Sequence, residues 1–248
     1  MDWLWSENRF VLFDRYHLGA LLLTLAASGL ALWAGRRLRG QSGQFWLSRS
    51  LAVMLVVAVC GRRAMDLDPD TFDVRFSLPL QICDAACFVG VYALWTLRRW
   101  AAAVVYYWGL TFTLLASITP DLSSGFPNLH FIAFFAWHAM VIVMAVYLVW
   151  GVGLYPTWRH YRLTCLATFC YATSLYLLNS VLGSNYMFVN RLPERATLLD
   201  LLGPHPVYVV IGILLCLLVW AAMTWPWQWI GGMPPEVRLP KTHNSRHR

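Results

Sequence analysis

The chain has 248 residues, of which 59% are hydrophobic and 12% charged. A soluble domain carries about 25% charged residues, so the composition excludes an ordinary soluble protein and points to a polytopic membrane one. The formal charge of +7 is dispersed over short loops rather than gathered in a patch. It therefore reads as a topology signal and not as a nucleic-acid-binding surface.

Residues 1–16 mix Trp3, Trp5, Phe10 and Phe13 with charges and are expected to lie along the membrane interface. No basic leader or small-residue cleavage site marks a removable signal. Seven apolar runs follow, at 17–34, 45–60, 78–97, 101–118, 129–150, 163–182 and 207–225. Each reads as a membrane-spanning helix, the second a short one, which predicts an all-α, seven-helix bundle over residues 17–227. Arg36, Arg37 and Arg39 stop the first run, Arg62 and Arg63 the second, and Arg98 and Arg99 the third. The tail, 228–248, is polar and Pro-containing and reads as disordered. Lys and Arg are more numerous in the loops after spans 1, 3 and 5 and in the tail than on the other side. The positive-inside rule then places the C-terminus in the cytoplasm and the N-terminus outside.

The third run opens on Leu78-Pro79-Leu80-Gln81-Ile82-Cys83-Asp84. An ionisable residue in a span costs about 2.5–3.5 kcal/mol on insertion scales, so Asp84 needs a partner or a function. Counting from the outer ends of spans 3 and 5, Cys83 is about 8 Å deep and His138 about 13 Å, on helices running the same way. Asn179, Thr119, Asp121, Asn185 and Tyr186 gather at the same end, while the inner halves of spans 4–7 show no comparable polar set. One polar cavity in the outer half of the bundle is expected.

A thiol beside an imidazole is a competent nucleophile. A Cys83–His138 pair within hydrogen-bonding reach would attack an acyl ester and hold the chain as a thioester. Asn179, Asn185 and Tyr186 are the candidate oxyanion donors, with Gln81, Asp84 and Asp121 supporting. Asp84 is about 100° around the helix from Cys83 and would orient His138 or bond a neighbouring helix, with Asn179 the candidate partner.

Other readings are open. The six cysteines fit buried packing thiols, and His138 fits a helix–helix hydrogen bonder worth about 0.6–2 kcal/mol. Cys83, Cys87 and His138 make a weak metal set. Asp66, Asp68, Asp70 and Asp73 resemble half a calcium loop but lack its Gly and its terminal Glu. No metal and no cofactor is expected. Asp84 in a cavity also fits a transporter or small-ligand binder, and the polar set as a whole fits helix glue in a structural protein.

The segments LPLQICD (78–84), WGLTFTLLASITPD (108–121), FFAWH (134–138), YPTWR (155–159), NYMF (185–188) and LLDLLGPHPVY (198–208) occur in an order and spacing that resembles the YwaF family of integral membrane proteins. That family has bacterial members and, more distantly, the eukaryotic transmembrane protein 164. The resemblance implies a bundle in the bacterial inner membrane with membrane lipids as partners. It also implies a phospholipid acyltransferase activity, with the family's Cys falling on Cys83 and its His on His138. A departure is Gln81, where the family often carries His.

Overall fold

The computed structural model describes residues 8–66, 72–194 and 197–229. Trp3, Trp5, Asp68, Asp70 and the tail from 230 lie outside the described residues. Helix α1 spans Arg15–Arg37 and starts on Asp14, whose carboxylate accepts the His17 N–H at 2.7 Å. Helix α2 is Ser42–Asp66 and α3 is Ile82–Thr96. Helix α4 is Arg99–Ile118, with a π turn at Gly109–Thr113. Helix α5 is Leu129–Val152 and ends in a π turn, Tyr147–Val152. Helices α6, Trp158–Leu182, and α7, Val207–Trp229, complete an all-helical bundle. Six of the seven are long and apolar enough to cross a membrane, and α3 is a shorter apolar helix.

Two boundaries differ from the apolar runs. Helix α2 continues six residues past Cys60, because its terminal charges pair with one another: Arg62 and Arg63 both bridge Asp66. Helix α3 starts four residues late, since Leu78–Leu80 is not helical and Gln81 is its N-cap. With 15 residues, α3 is about 22 Å long, short of the roughly 30 Å hydrocarbon core.

Successive helices alternate in direction, so α3 and α5 run parallel. Helices α4 and α5 form the centre: 67% and 61% of their apolar windows are buried, against 11–28% for the other long spans. All six cysteines are free. Cys83 and Cys87 are buried, but Cys60 and Cys170 are exposed on the bundle surface rather than packed inside.

The end remote from α3's start is not apolar. Ser48 Oγ meets Tyr147 Oη at 2.7 Å, and Tyr107 Oη meets Thr224 Oγ1 at 2.7 Å. Arg39 donates to the Trp150 and Gly151 carbonyls at 2.7–2.9 Å. These are orphan acceptors at the end of α5, where a cation also suits the helix dipole. A cleft of about 430 Å³ lies nearby, lined by Arg36, Tyr106, Trp150, Tyr155, Met223, Pro226 and Trp227.

There α1 and α5 cross on two glycines. A Cβ on Gly35 would stand 2.8 Å from Gly151 Cα, a backbone atom that cannot swing aside. Small residues let membrane helices approach this closely. Gly35→Val is expected to destabilise the bundle by about 1–3 kcal/mol through overpacking. Thermal unfolding in detergent should show a lowered midpoint. Gly19→Ala, with no neighbour within 4 Å of its added carbon, should leave it unchanged.

At the opposite end the N-terminal segment straps the loop between α4 and α5. Phe10 N donates to Ser123 O at 2.9 Å, and Gly125 N donates to Asn8 O at 2.6 Å.

Candidate functional site

The segment before α3 is held by four residues from three parts of the chain. Tyr171 Oη, from α6, donates to Leu80 O at 2.8 Å. Tyr186, in a short 3-10 turn at Tyr186–Phe188, accepts from Leu78 N at 3.1 Å and donates to Val74 O at 2.6 Å. Burial raises its phenol above the ordinary range, which keeps it a protonated donor. Met187 N donates to Gln81 Oε1 at 2.8 Å, and Arg63, from α2, reaches Ser77 O at 3.3 Å. Backbone without a ladder of its own is tolerated at membrane depth only when protein satisfies it in this way.

Asp84 completes the start of α3. Its Oδ2 accepts the Gln81 N–H at 3.0 Å, as a carboxylate in the first turn of a helix should. Its Oδ1 pairs with Arg63 Nη2 at 2.7 Å, with the Asp84 side chain 3% exposed. The interhelical partner is thus Arg63 and not Asn179. The second helix does not stop at Arg62 and Arg63, so a span carries the cation Asp84 requires. A cation held at Asp84 would have to compete with this guanidinium.

Asn179 serves the loop instead. Its amide donates to Tyr186 O at 3.0 Å and Asn190 Oδ1 at 2.8 Å; its carbonyl accepts from Ser184 Oγ at 2.7 Å and Tyr186 N at 2.9 Å. That uses all four of its hydrogen-bonding positions. The Asn185 amide is bound to Arg191 O at 2.8 Å, and its carbonyl accepts from Arg191 N at 3.2 Å. Three expected oxyanion donors, Asn179, Asn185 and Tyr186, are therefore engaged in building the loop. Asp121 is exposed on the segment after α4.

Two close contacts set the register of the central helices. Gly90 of α3 lies directly against the Met144 thioether of α5. Seven residues, two turns, back along each helix stand Cys83 and Trp137, about 10 Å nearer the loop end. Gly109 of α4 lies against α5 at Val141 and Ala145: a Cβ there would be 3.2 Å from Ala145 Cβ. His138 precedes those residues by three and seven positions, so it continues the stripe facing α4. One step toward the loop end, the π turn of α4 carries Thr113, whose hydroxyl meets Cys83 Sγ at 3.5 Å. Such π turns are frequent at functional sites.

Cys83 is the second residue of α3 and is buried, 7% exposed. Its depth comes from the late start of α3 and not from five helical residues above it. His138 is buried too, its ring against Phe134 at 3.9 Å and Trp137 at 4.0 Å between centroids. Nδ1 lies 2.8 Å from Phe134 O. A carbonyl only accepts, so Nδ1 carries a proton, and in the neutral ring the lone pair is on Nε2. Among the described residues no hydrogen bond joins His138 to Cys83, and Thr113 is the hydroxyl the sulfur meets. No set of three metal-ligating side chains occurs among the described residues.

Arg63, Thr113 and Tyr171 were not legible as site residues. Arg63 read as a stop signal, and Thr113 needs the π turn to face α3. Only the demand of Asp84 for a cation pointed to any of them.

A family model described as the TMEM164 family matches residues 12–224. None of the curated proteins and none of the solved structures compared matches the chain.

Proposed function

The chain belongs to the TMEM164 family, and on that premise we propose that it is a membrane-embedded lipid acyltransferase in which Cys83 carries the acyl group and His138 moves the proton. The observation that carries this reading is the meeting of Cys83 with Thr113 on the π turn of α4, the stretch that His138's stripe on α5 faces. The fixed tautomer of His138 supports it, because a base needs a free lone pair.

The reaction runs in two balanced steps. His138 Nε2 takes the Cys83 proton while sulfur adds to the carbonyl carbon of a lipid ester. The carbon–oxygen bond to the lysolipid breaks, and the departing oxygen takes the proton from the imidazolium. A hydroxyl of a second lipid, or water, then loses its proton to His138, attacks the thioester and frees the thiol. The distribution of Lys and Arg supports an orientation with this end outside and the C-terminus in the cytoplasm, and the resemblance to bacterial family members supports the inner membrane of a bacterium as the location.

The test is capture of the thioester. Membranes containing the protein are treated with an activated ester of an alkyne-tagged fatty acid. A hydroxylamine-labile tag on Cys83, absent from Cys83→Ala, is expected. A tag of equal intensity on Cys83→Ala overturns the proposal.

A further inference from the structure

Acyl transfer through Cys83 needs donors for the oxyanion, and the loop amides expected to supply them are occupied. Two other N–H groups at the site are not. Trp137 is 6% exposed, and its indole Nε1 is buried without a hydrogen-bond partner among the described residues. Buried indoles ordinarily find an acceptor, and an orphaned one calls for an explanation. Elsewhere in the bundle they do find one: Trp108 donates to Thr168 Oγ1 at 2.8 Å, Trp220 to Thr111 Oγ1 at 3.3 Å and Trp227 to Tyr106 Oη at 3.4 Å. The second group is the Cys83 amide, in the first turn of α3, which donates no hydrogen bond among the described residues. First-turn amides have no intrahelical acceptor and carry the positive end of the helix dipole.

Position brings the two together. The Gly90–Met144 contact puts Trp137 level with Cys83 on parallel helices. The Trp137 ring also touches the His138 ring, at 4.0 Å between centroids. The indole ring is thus packed against the base, at the level of Cys83.

We infer that the Trp137 indole N–H and the Cys83 amide N–H together bind the carbonyl oxygen of the lipid ester and hold its negative charge as the thioester forms. The inference rests on the acyl-transfer reading and names the groups that recognise the ester. When sulfur adds to the carbonyl carbon, the C=O π pair moves onto oxygen and both N–H groups donate to it. The pair returns as the lysolipid oxygen departs with the proton from His138.

The experiment compares two reactions at Cys83 in membranes. One is acylation by the tagged ester, which passes through an oxyanion. The other is alkylation by iodoacetamide, a displacement that forms none. Trp137→Phe keeps a ring and removes the donor. A second variant carries β-(3-benzothienyl)alanine at position 137, with sulfur in place of N–H at nearly unchanged shape, and decides the matter if Trp137→Phe does not accumulate. Removing one oxyanion donor costs on the order of 10²-fold in rate, so acylation should fall by about that factor in both while alkylation stays within about twofold. Wild-type-like acylation in both variants overturns this inference and leaves the acyl-transfer reading standing. An equal loss in both reactions also overturns it, by making Trp137 a packing residue. No acylation of the wild-type protein overturns the reading and the inference together.

Discussion

Replacing Asp84 by alanine is expected to destabilise the bundle by about 3 kcal/mol, the low end of the 3–5 kcal/mol range for breaking a buried ion pair. The loss has two parts. Arg63 keeps Asp66 at 2.8 Å but loses the carboxylate at 2.7 Å, while its Nε is already buried without a partner among the described residues. The Gln81 N–H loses the oxygen that caps α3. Arg63→Ala should cost as much or more, because it strands a carboxylate whose side chain is 3% exposed. The double variant Arg63→Met/Asp84→Leu removes both charges and replaces them with apolar groups. It should recover to within about 1–2 kcal/mol of the wild type, since a buried pair adds little over well-packed hydrocarbon. Thermal unfolding in detergent compares these three variants with the wild type. A single-variant cost below about 1 kcal/mol, or a double variant no better than the singles, would show that the pair does not anchor α3 to α2.

That pair explains what was readable in the sequence and what was not. The seven helices followed from apolar runs, because a helix in lipid needs only length and hydrophobicity. The need of Asp84 for a partner was equally plain. The partner was not, because Arg62 and Arg63 satisfy two descriptions at once: they flank an apolar run, and they extend α2 into a charged last turn. The depth argument for Cys83 failed for a related reason. Leu78–Leu80 is as apolar as the helix it precedes, yet its backbone bonds run to Tyr171 and Tyr186, residues more than 90 positions away. No local pattern announces such bonds. The same blindness hid Thr113: at strict 3.6-residue periodicity the face it presents is ambiguous, and the π turn at Gly109–Thr113 decides it.

The late start of α3 ties these features into one account. Helix α5 has fifteen residues between Leu129 and the Met144 contact, and α3 has eight between Ile82 and Gly90. The first turn of α3 therefore opens about 10 Å below the first turn of α5, inside the bundle. Backbone amides at such a position need acceptors, and the Asp84 carboxylate supplies one to Gln81. The Cys83 amide has none among the described residues. A buried helix start, a thiol on its second residue and an imidazole one helix away make a place where negative charge can be received.

Replacing His138 by alanine should slow acylation of Cys83 by about 10²–10⁴-fold, the usual contribution of a positioned general base. Alanine alone does not distinguish a base from a brace, since the ring also fills space against Phe134 and Trp137. His138→Asn separates the two. An asparagine amide can donate to the Phe134 carbonyl much as Nδ1 does at 2.8 Å, so the link to the helix's own backbone is kept. It offers no group that accepts a proton near neutral pH. If His138 works through Nε2, the Asn variant should unfold close to wild type and acylate as slowly as the Ala variant, read as initial rates of tag incorporation. If His138 only braces the helices, the Asn variant should acylate close to the wild-type rate and the Ala variant should lose thermal stability in step with its activity. The first pattern places the proton on the imidazole. The second removes His138 from the chemistry and leaves Cys83 to find its base elsewhere.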